Sequence, residues 1–204
     1  MKPTILQIVA QLSSRVFLGE KLCRDPDWLR ITTAYTVDAM KAAEDLRIWP
    51  SFVRPIVARF LKPCLKVQAE LREAREIITP VLEERRKTKE AALANGETLP
   101  RYNDAMEWME QTSKGSPYDP AAVQLTFSVA AIHTTSDMVT QAIYDLCTRP
   151  ELVQALREEI IAVISAEGWK KTAMYKLQLM DSFLKESQRL KPINLGGNSD
   201  QLRT

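Results

Sequence analysis

Residues 130–137, Ala-Ala-Ile-His-Thr-Thr-Ser-Asp, concentrate the side chains best able to do chemistry in this 204-residue chain. Ala130 and Ala131 would let another group approach the backbone closely. His133 is the sole histidine, and imidazole is the side chain that exchanges a proton near neutrality. Thr134, Thr135 and Ser136 carry hydroxyls, which in a helix bond back to the carbonyl four residues earlier and bend it. The plainer reading makes His133 a satisfied core histidine and the threonines back-bonded helix residues. A second pair, Glu186 and Arg189, is three residues apart and so shares one helix face; as a surface pair it is worth about 0.2–0.5 kcal/mol. The three cysteines, Cys23, Cys64 and Cys147, have no Cys-x-x-Cys spacing. They indicate neither a disulfide framework nor a zinc site and fit a reducing compartment.

The element that must position the first cluster runs from Asp119-Pro120 to Arg149-Pro150. Asp119 can cap its start and Pro120 suits the first helical position, while Pro150 pushes Arg149 out of the helical region. Val123, Phe127, Val129, Ala130, Ile132, Met138, Val139, Ile143 and Leu146 are spread round most of the circumference, a pattern that predicts a helix buried in a larger body. At 1.5 Å per residue it spans roughly 40 Å.

The rest of the chain is also helical in pattern. Thr4 to Phe17 has apolar residues at helical spacing: Ile5, Leu6, Ile8, Val9, Leu12 and Val16. Asp25-Pro26 opens the next helix with Asp25 as cap. Ile48-Trp49-Pro50 and Val53-Arg54-Pro55 form a broken connector. A packed loop is the simpler reading; a membrane-touching surface is the sharper one, because Trp49, Phe52 and Phe60 alternate with Arg54, Arg59 and Lys62. From Pro63 to about Ala94 a long charged helix has a stripe of Leu65, Leu71, Ile77, Ile78, Val81 and Leu82. Its solvated face includes Glu70, Arg72, Glu73, Arg85 and Arg86, and Pro80 should kink it. A short helix covers Asp104 to Glu110, another follows Pro150 to Gly168, and a last one covers about Ala173 to Leu190. The predicted class is all-α.

Composition excludes some functions. With 28 basic and 26 acidic residues the net charge is +2, so there is no electrostatic case for a nucleic-acid partner. No run of 18 or more apolar residues makes a transmembrane segment, and no signal peptide is evident.

The order of these motifs resembles the middle of a cytochrome P-450, a haem-thiolate monooxygenase. The resemblance rests on Ala130-Ala131-Ile132-His133-Thr134-Thr135, the helix opening at Arg149-Pro150-Glu151, and Lys185-Glu186-Ser187-Gln188-Arg189-Leu190-Lys191-Pro192. Ser13-Ser14-Arg15-Val16-Phe17-Leu18-Gly19 with Leu22-Cys23-Arg24 adds to it, and fungal secondary-metabolism members are the most similar. The resemblance implies that residues 4–195 are a partial domain of that fold and that 196–204 are a disordered, off-pattern tail.

It further implies that the central helix is the distal wall of a haem pocket. Ala130 and Ala131 would lie over the porphyrin. Thr134 would hydrogen-bond the bound dioxygen and help deliver protons for O–O cleavage, and His133 would stand where many members carry Asp or Glu and serve the proton relay. Glu186 and Arg189 would belong to a buried ion-pair network. The implied partners are a hydrophobic small-molecule substrate and an electron-donating reductase, and the implied location is the endoplasmic-reticulum membrane. The family's iron ligand is a cysteine thiolate in a glycine-rich loop after the Glu-x-x-Arg helix. None of Cys23, Cys64 or Cys147 has that setting, so the chain reads as an internal fragment without the anchor or the ligand loop, inactive alone. The alternative is a non-catalytic helical interaction module.

Overall fold

The structure, a computed structural model, describes residues 2–192. Its helices are α1 (Lys2–Leu18), α2 (Pro26–Arg47), α3 (Arg54–Val57), α4 (Lys62–Ala94), α5 (Ala105–Ser113), α6 (Pro120–Cys147), α7 (Pro150–Glu167), α8 (Lys171–Met174) and α9 (Gln178–Leu190). No strand occurs among the described residues, so the class is all-α. The predicted tail at 196–204 lies outside the described residues.

Helix starts follow local chemistry. Asp25 accepts from the Trp28 amide at 2.8 Å. Asp119 accepts from the Ala121 and Ala122 amides at 3.1 and 3.3 Å, satisfying donors that have no partner within the helix. Asp119 also takes two bonds from the Arg75 guanidinium, at 2.7 and 3.0 Å. Burial alone would raise its carboxyl, but Arg75 and the two amides together hold it below the ordinary aspartate value. Glu159 on α7 receives the Leu179 and Met180 amides at 2.7 and 3.0 Å; a carboxylate from a neighbouring helix thus serves the start of α9. That start breaks the single last helix expected from Ala173 into α8 and α9.

The chain divides into two compact units, residues 6–133 and residues 2–5 with 134–192. The larger unit packs α1, α2, α4, α5 and the first part of α6 around Leu18, Trp28, Ile31, Ile78, Met106 and Leu125. Trp28 is fully buried and its indole donates to Ser14 Oγ at 3.0 Å, so the largest core side chain keeps its polar atom satisfied. The smaller unit packs Ala142, Leu156 and Phe183 with Leu146, Leu152, Met180 and Leu184.

Several expectations are corrected. On α1 the buried stripe is Ile5, Val9, Ala10, Ser14 and Leu18, whereas Ile8, Leu12 and Val16 are exposed. On α4, Glu70 and Arg85 are buried rather than solvated, because they continue the spacing of Ala74, Ile78, Val81 and Leu82. The connector after α2 is not packed: Ile48, Trp49, Phe52, Ile56 and Phe60 are all exposed.

Arg85 is held by Asp104 through contacts of 2.6 and 2.8 Å, and the Tyr102 ring centroid lies 4.3 Å from its guanidinium carbon. Asp104 also caps α5 by accepting from the Glu107 amide at 3.0 Å. Gly19 lets these groups close up: its φ is +77°, and a Cβ there would lie 2.5 Å from Asp104 Oδ2. Only a residue without a side chain takes that conformation cheaply.

Candidate distal helix

Helix α6 buries one side and not its whole circumference. Ala121, Leu125, Ser128, Ile132, Ser136 and Thr140 are buried at steps of three or four residues, whereas Ala130, Asp137 and Tyr144 are exposed. The helix apolar all round is therefore corrected to one with a single inward stripe. That stripe is narrow and carries hydroxyls: Ser128 and Thr140 donate to the carbonyls of Gln124 and Ser136 at 3.0 and 2.6 Å.

The predicted cluster separates into two directions. With about 100° of rotation per residue, Thr134 lies about 40° from Ala130 and Ala131 about 100°, so the three share a flank. Ala130 is exposed, and Ala131 and Thr134 are half-buried. His133 falls about 60° to the other side of Ala130. Its Nε2 lies 3.1 Å from the Thr33 carbonyl oxygen of α2. A carbonyl only accepts, so Nε2 carries the hydrogen and Nδ1 is left as the acceptor nitrogen.

Glu186 and Arg189 on α9 form a bidentate pair at 2.6 and 2.7 Å. Their side chains are 49% and 67% exposed, so the expected buried network is not what the described residues form: the two partners sit in one helix turn and both reach solvent. Arg189 holds the Glu186 carboxyl below its ordinary value. A neighbouring polar contact does bridge helices: Ser187 Oγ donates to Asp145 Oδ2 at 2.5 Å, linking α9 to α6.

A flat macrocycle needs a face free of bulky side chains and an axial ligand. The Ala130–Ala131–Thr134 flank fits the first requirement. Cys23 and Cys64 are buried, and the Cys23 thiol donates to the Glu20 carbonyl at 3.4 Å. Cys147 ends the same helix as Thr134, about 20 Å further along its axis at 1.5 Å per residue. Among the described residues no group of three or more histidine, cysteine or carboxylate side chains is placed to hold a metal. The sequence passes over Asp38 and puts Glu70 on a solvated face, yet both carboxyls, on α2 and α4, are buried; the helical spacing of Glu70 with Ala74 and Ile78 was the available signal.

Among the described residues the chain is all-helical, with one long helix that carries an Ala-Ala-x-x-Thr flank and a later Glu-x-x-Arg helix. The chain belongs to the Cytochrome P450 family, whose profile matches residues 1–196. It is 54% identical over 193 residues to the cytochrome P450 monooxygenase adrA of Penicillium rubens, covering 95% of this chain and 38% of that protein. It is 52% identical over 192 residues to the monooxygenase esdpI of Penicillium shearii, covering 94% and 37%, and 51% identical over 194 residues to cytochrome P450 monooxygenase 1 of Gibberella fujikuroi, covering 94% and 44%. The chain thus spans roughly two-fifths of the length of these curated relatives. No described helix is long and apolar enough to cross a membrane.

Proposed function

We propose that this chain is the distal, helix-rich part of a haem monooxygenase that hydroxylates a hydrophobic small molecule of fungal secondary metabolism, with electrons from a reductase. Haem, when held by its thiolate, supplies the activation of dioxygen. The observation that carries the reading is the shared flank of Ala130, Ala131 and Thr134 on α6, with Ala130 exposed. The alanines leave room for the ring, and Thr134 Oγ1 holds and passes a proton beside it. His133 is assigned as a second proton carrier: Nε2 is anchored on Thr33 and Nδ1 exchanges. Glu186 and Arg189 hold the turn of α9 that follows. On this reading the thiolate that would hold the haem is not assigned to Cys23, Cys64 or Cys147, and this chain alone is assigned no hydroxylase activity.

The exposed connector from Ile48 to Phe60 supports a seat at the endoplasmic-reticulum surface, its aromatic groups entering the interface and Arg54, Arg59 and Lys62 meeting lipid headgroups. The test of the main reading is a chimera in which residues 1–196 replace the matching stretch of adrA. Thr134→Ala in that chimera is expected to lower hydroxylation by about 100-fold or more while the carbon monoxide difference spectrum stays of thiolate type. Unchanged turnover removes Thr134 from the proposal, and failure of the chimera to take up haem removes the reading. A second reading, a non-catalytic helical interaction module, draws on the exposed Ile8–Leu12–Val16 stripe of α1; it gains ground if the chain alone is soluble and monodisperse.

A further inference from the structure

Glu70 is 4% exposed on the inward stripe of α4, and Asp38 is 9% exposed on α2. Glu70 follows Lys66 by one turn of α4, and Lys66 reaches across to Asp38 on α2, so the two carboxyls flank one contact between these helices. Asp38 Oδ2 accepts from the Lys66 ammonium at 2.6 Å, so the nearest cation is already committed to Asp38. Glu70 Oε2 is buried and meets no donor among the described residues, and Thr36 Oγ1, two residues before Asp38 on α2, is in the same condition. Two ionised carboxylates side by side away from water repel each other, and a buried acceptor without a donor adds its own desolvation loss. A proton on Glu70 removes both problems, because one of two facing acceptors becomes a donor.

We propose that Asp38 and Glu70 share one proton, and that this proton clamps α2 to α4. The other charged groups around the pair set its balance. On α4, Lys66 favours the ionised form of Glu70 and Glu73 opposes it. On α2, Lys41 supports ionised Asp38. Burial first, then Glu70 and Asp119, raise the Tyr35 phenol, which stays neutral. Burial, reinforced by Asp38, pushes the Glu70 carboxyl up to about 7, while Lys66 holds Asp38 below its ordinary value.

The native state therefore binds a proton between the ordinary glutamate value of 4.5 and about 7, and the unfolded chain does not. Stability from this pair is fully present below that window and is lost as pH rises through it, at up to about tenfold in the folding constant per pH unit. Asp38 titrates below the window and does not mask the effect.

The experiment is urea denaturation of the full chain and of Glu70→Gln at a series of pH values from about 5 to 8. The side-chain amide introduced by Glu70→Gln donates to Asp38 at every pH, so the variant is expected to lose less stability across the range and to be the more stable protein at the alkaline end. Equal slopes for the two proteins overturn the proposal, and this difference also excludes His133, which is common to both. Should Glu70→Gln not fold, glutamate-selective 13C carboxyl NMR of the wild-type chain and of Asp38→Asn decides. One glutamate titrating near neutrality and moving to lower pH in Asp38→Asn supports the shared proton; every glutamate titrating in the ordinary range overturns it.

Discussion

Removing the Asp104 carboxylate tests whether the larger unit is tied together by its buried ion pair. Asp104 takes two bonds from Arg85 and one from the Glu107 amide, and the paired side chains are 3% and 10% exposed. Asp104→Ala leaves the guanidinium buried without its counter-charge, a loss of about 3–5 kcal/mol, and uncaps α5, a loss of about 1 kcal/mol. Two contacts soften the first figure. The Tyr102 ring face stays over Arg85, which is worth about 0.5–2 kcal/mol, and the Leu18 carbonyl accepts from Arg85 at 3.4 Å. A net loss of about 3–4 kcal/mol follows. The assay is urea denaturation of Asp104→Ala, Arg85→Met and the double variant as a cycle. Because Arg85→Met removes the stranded charge, the double variant should be more stable than Asp104→Ala alone. A loss under about 1 kcal/mol for Asp104→Ala, or additive single variants, refutes the reasoning.

Gly19→Ala should lower stability by about 1–3 kcal/mol, read by the same denaturation, since the added Cβ meets Asp104 Oδ2 and the backbone sits at positive φ; combining it with Asp104→Ala should recover part of that loss. In the connector, Phe52→Ser with Phe60→Ser should weaken binding of the full chain to anionic phosphatidylserine vesicles, and added salt should weaken it further; binding that ignores both substitutions removes the membrane seat. His133→Gln in the adrA chimera should keep the Thr33 contact yet lower hydroxylation by about 100-fold; turnover equal to that of the unsubstituted chimera makes His133 a tether only.

What could be read from the sequence was mainly local. Asp25 and Asp119 act on amides two or three residues away, so Asp-Pro at a helix start is legible without knowing what the helix packs against. Burial is not local. On α1 two apolar stripes compete, and only the partner helices decide that Val9 and Leu18 turn inward while Ile8 and Leu12 do not. On α4 the charge of Glu70 and Arg85 argues for solvent, yet their spacing places both on the inward stripe, and spacing prevails once Asp38 and Asp104 supply partners. The exposed Glu186–Arg189 pair is the converse: its i,i+3 spacing guarantees the contact and says nothing about burial.

The chemistry of α6 follows from how its two sides avoid bulk. Its inward stripe uses Ser128, Ser136 and Thr140, and a buried hydroxyl without a partner is costly. Ser128 and Thr140 meet this by bonding back to their own helix, so they pack as small spacers where leucine would overpack by about 1–3 kcal/mol. The outward side avoids bulk differently, with Ala130 offering no polar atom and no length. The two sides of the helix then differ: Ser128 and Thr140 give their hydroxyl hydrogens to the backbone of α6, whereas Ala130 faces solvent. The proposed haem side therefore rests on exposure: Ala130 is open, whereas Ser128 and Ser136 on the same helix are buried.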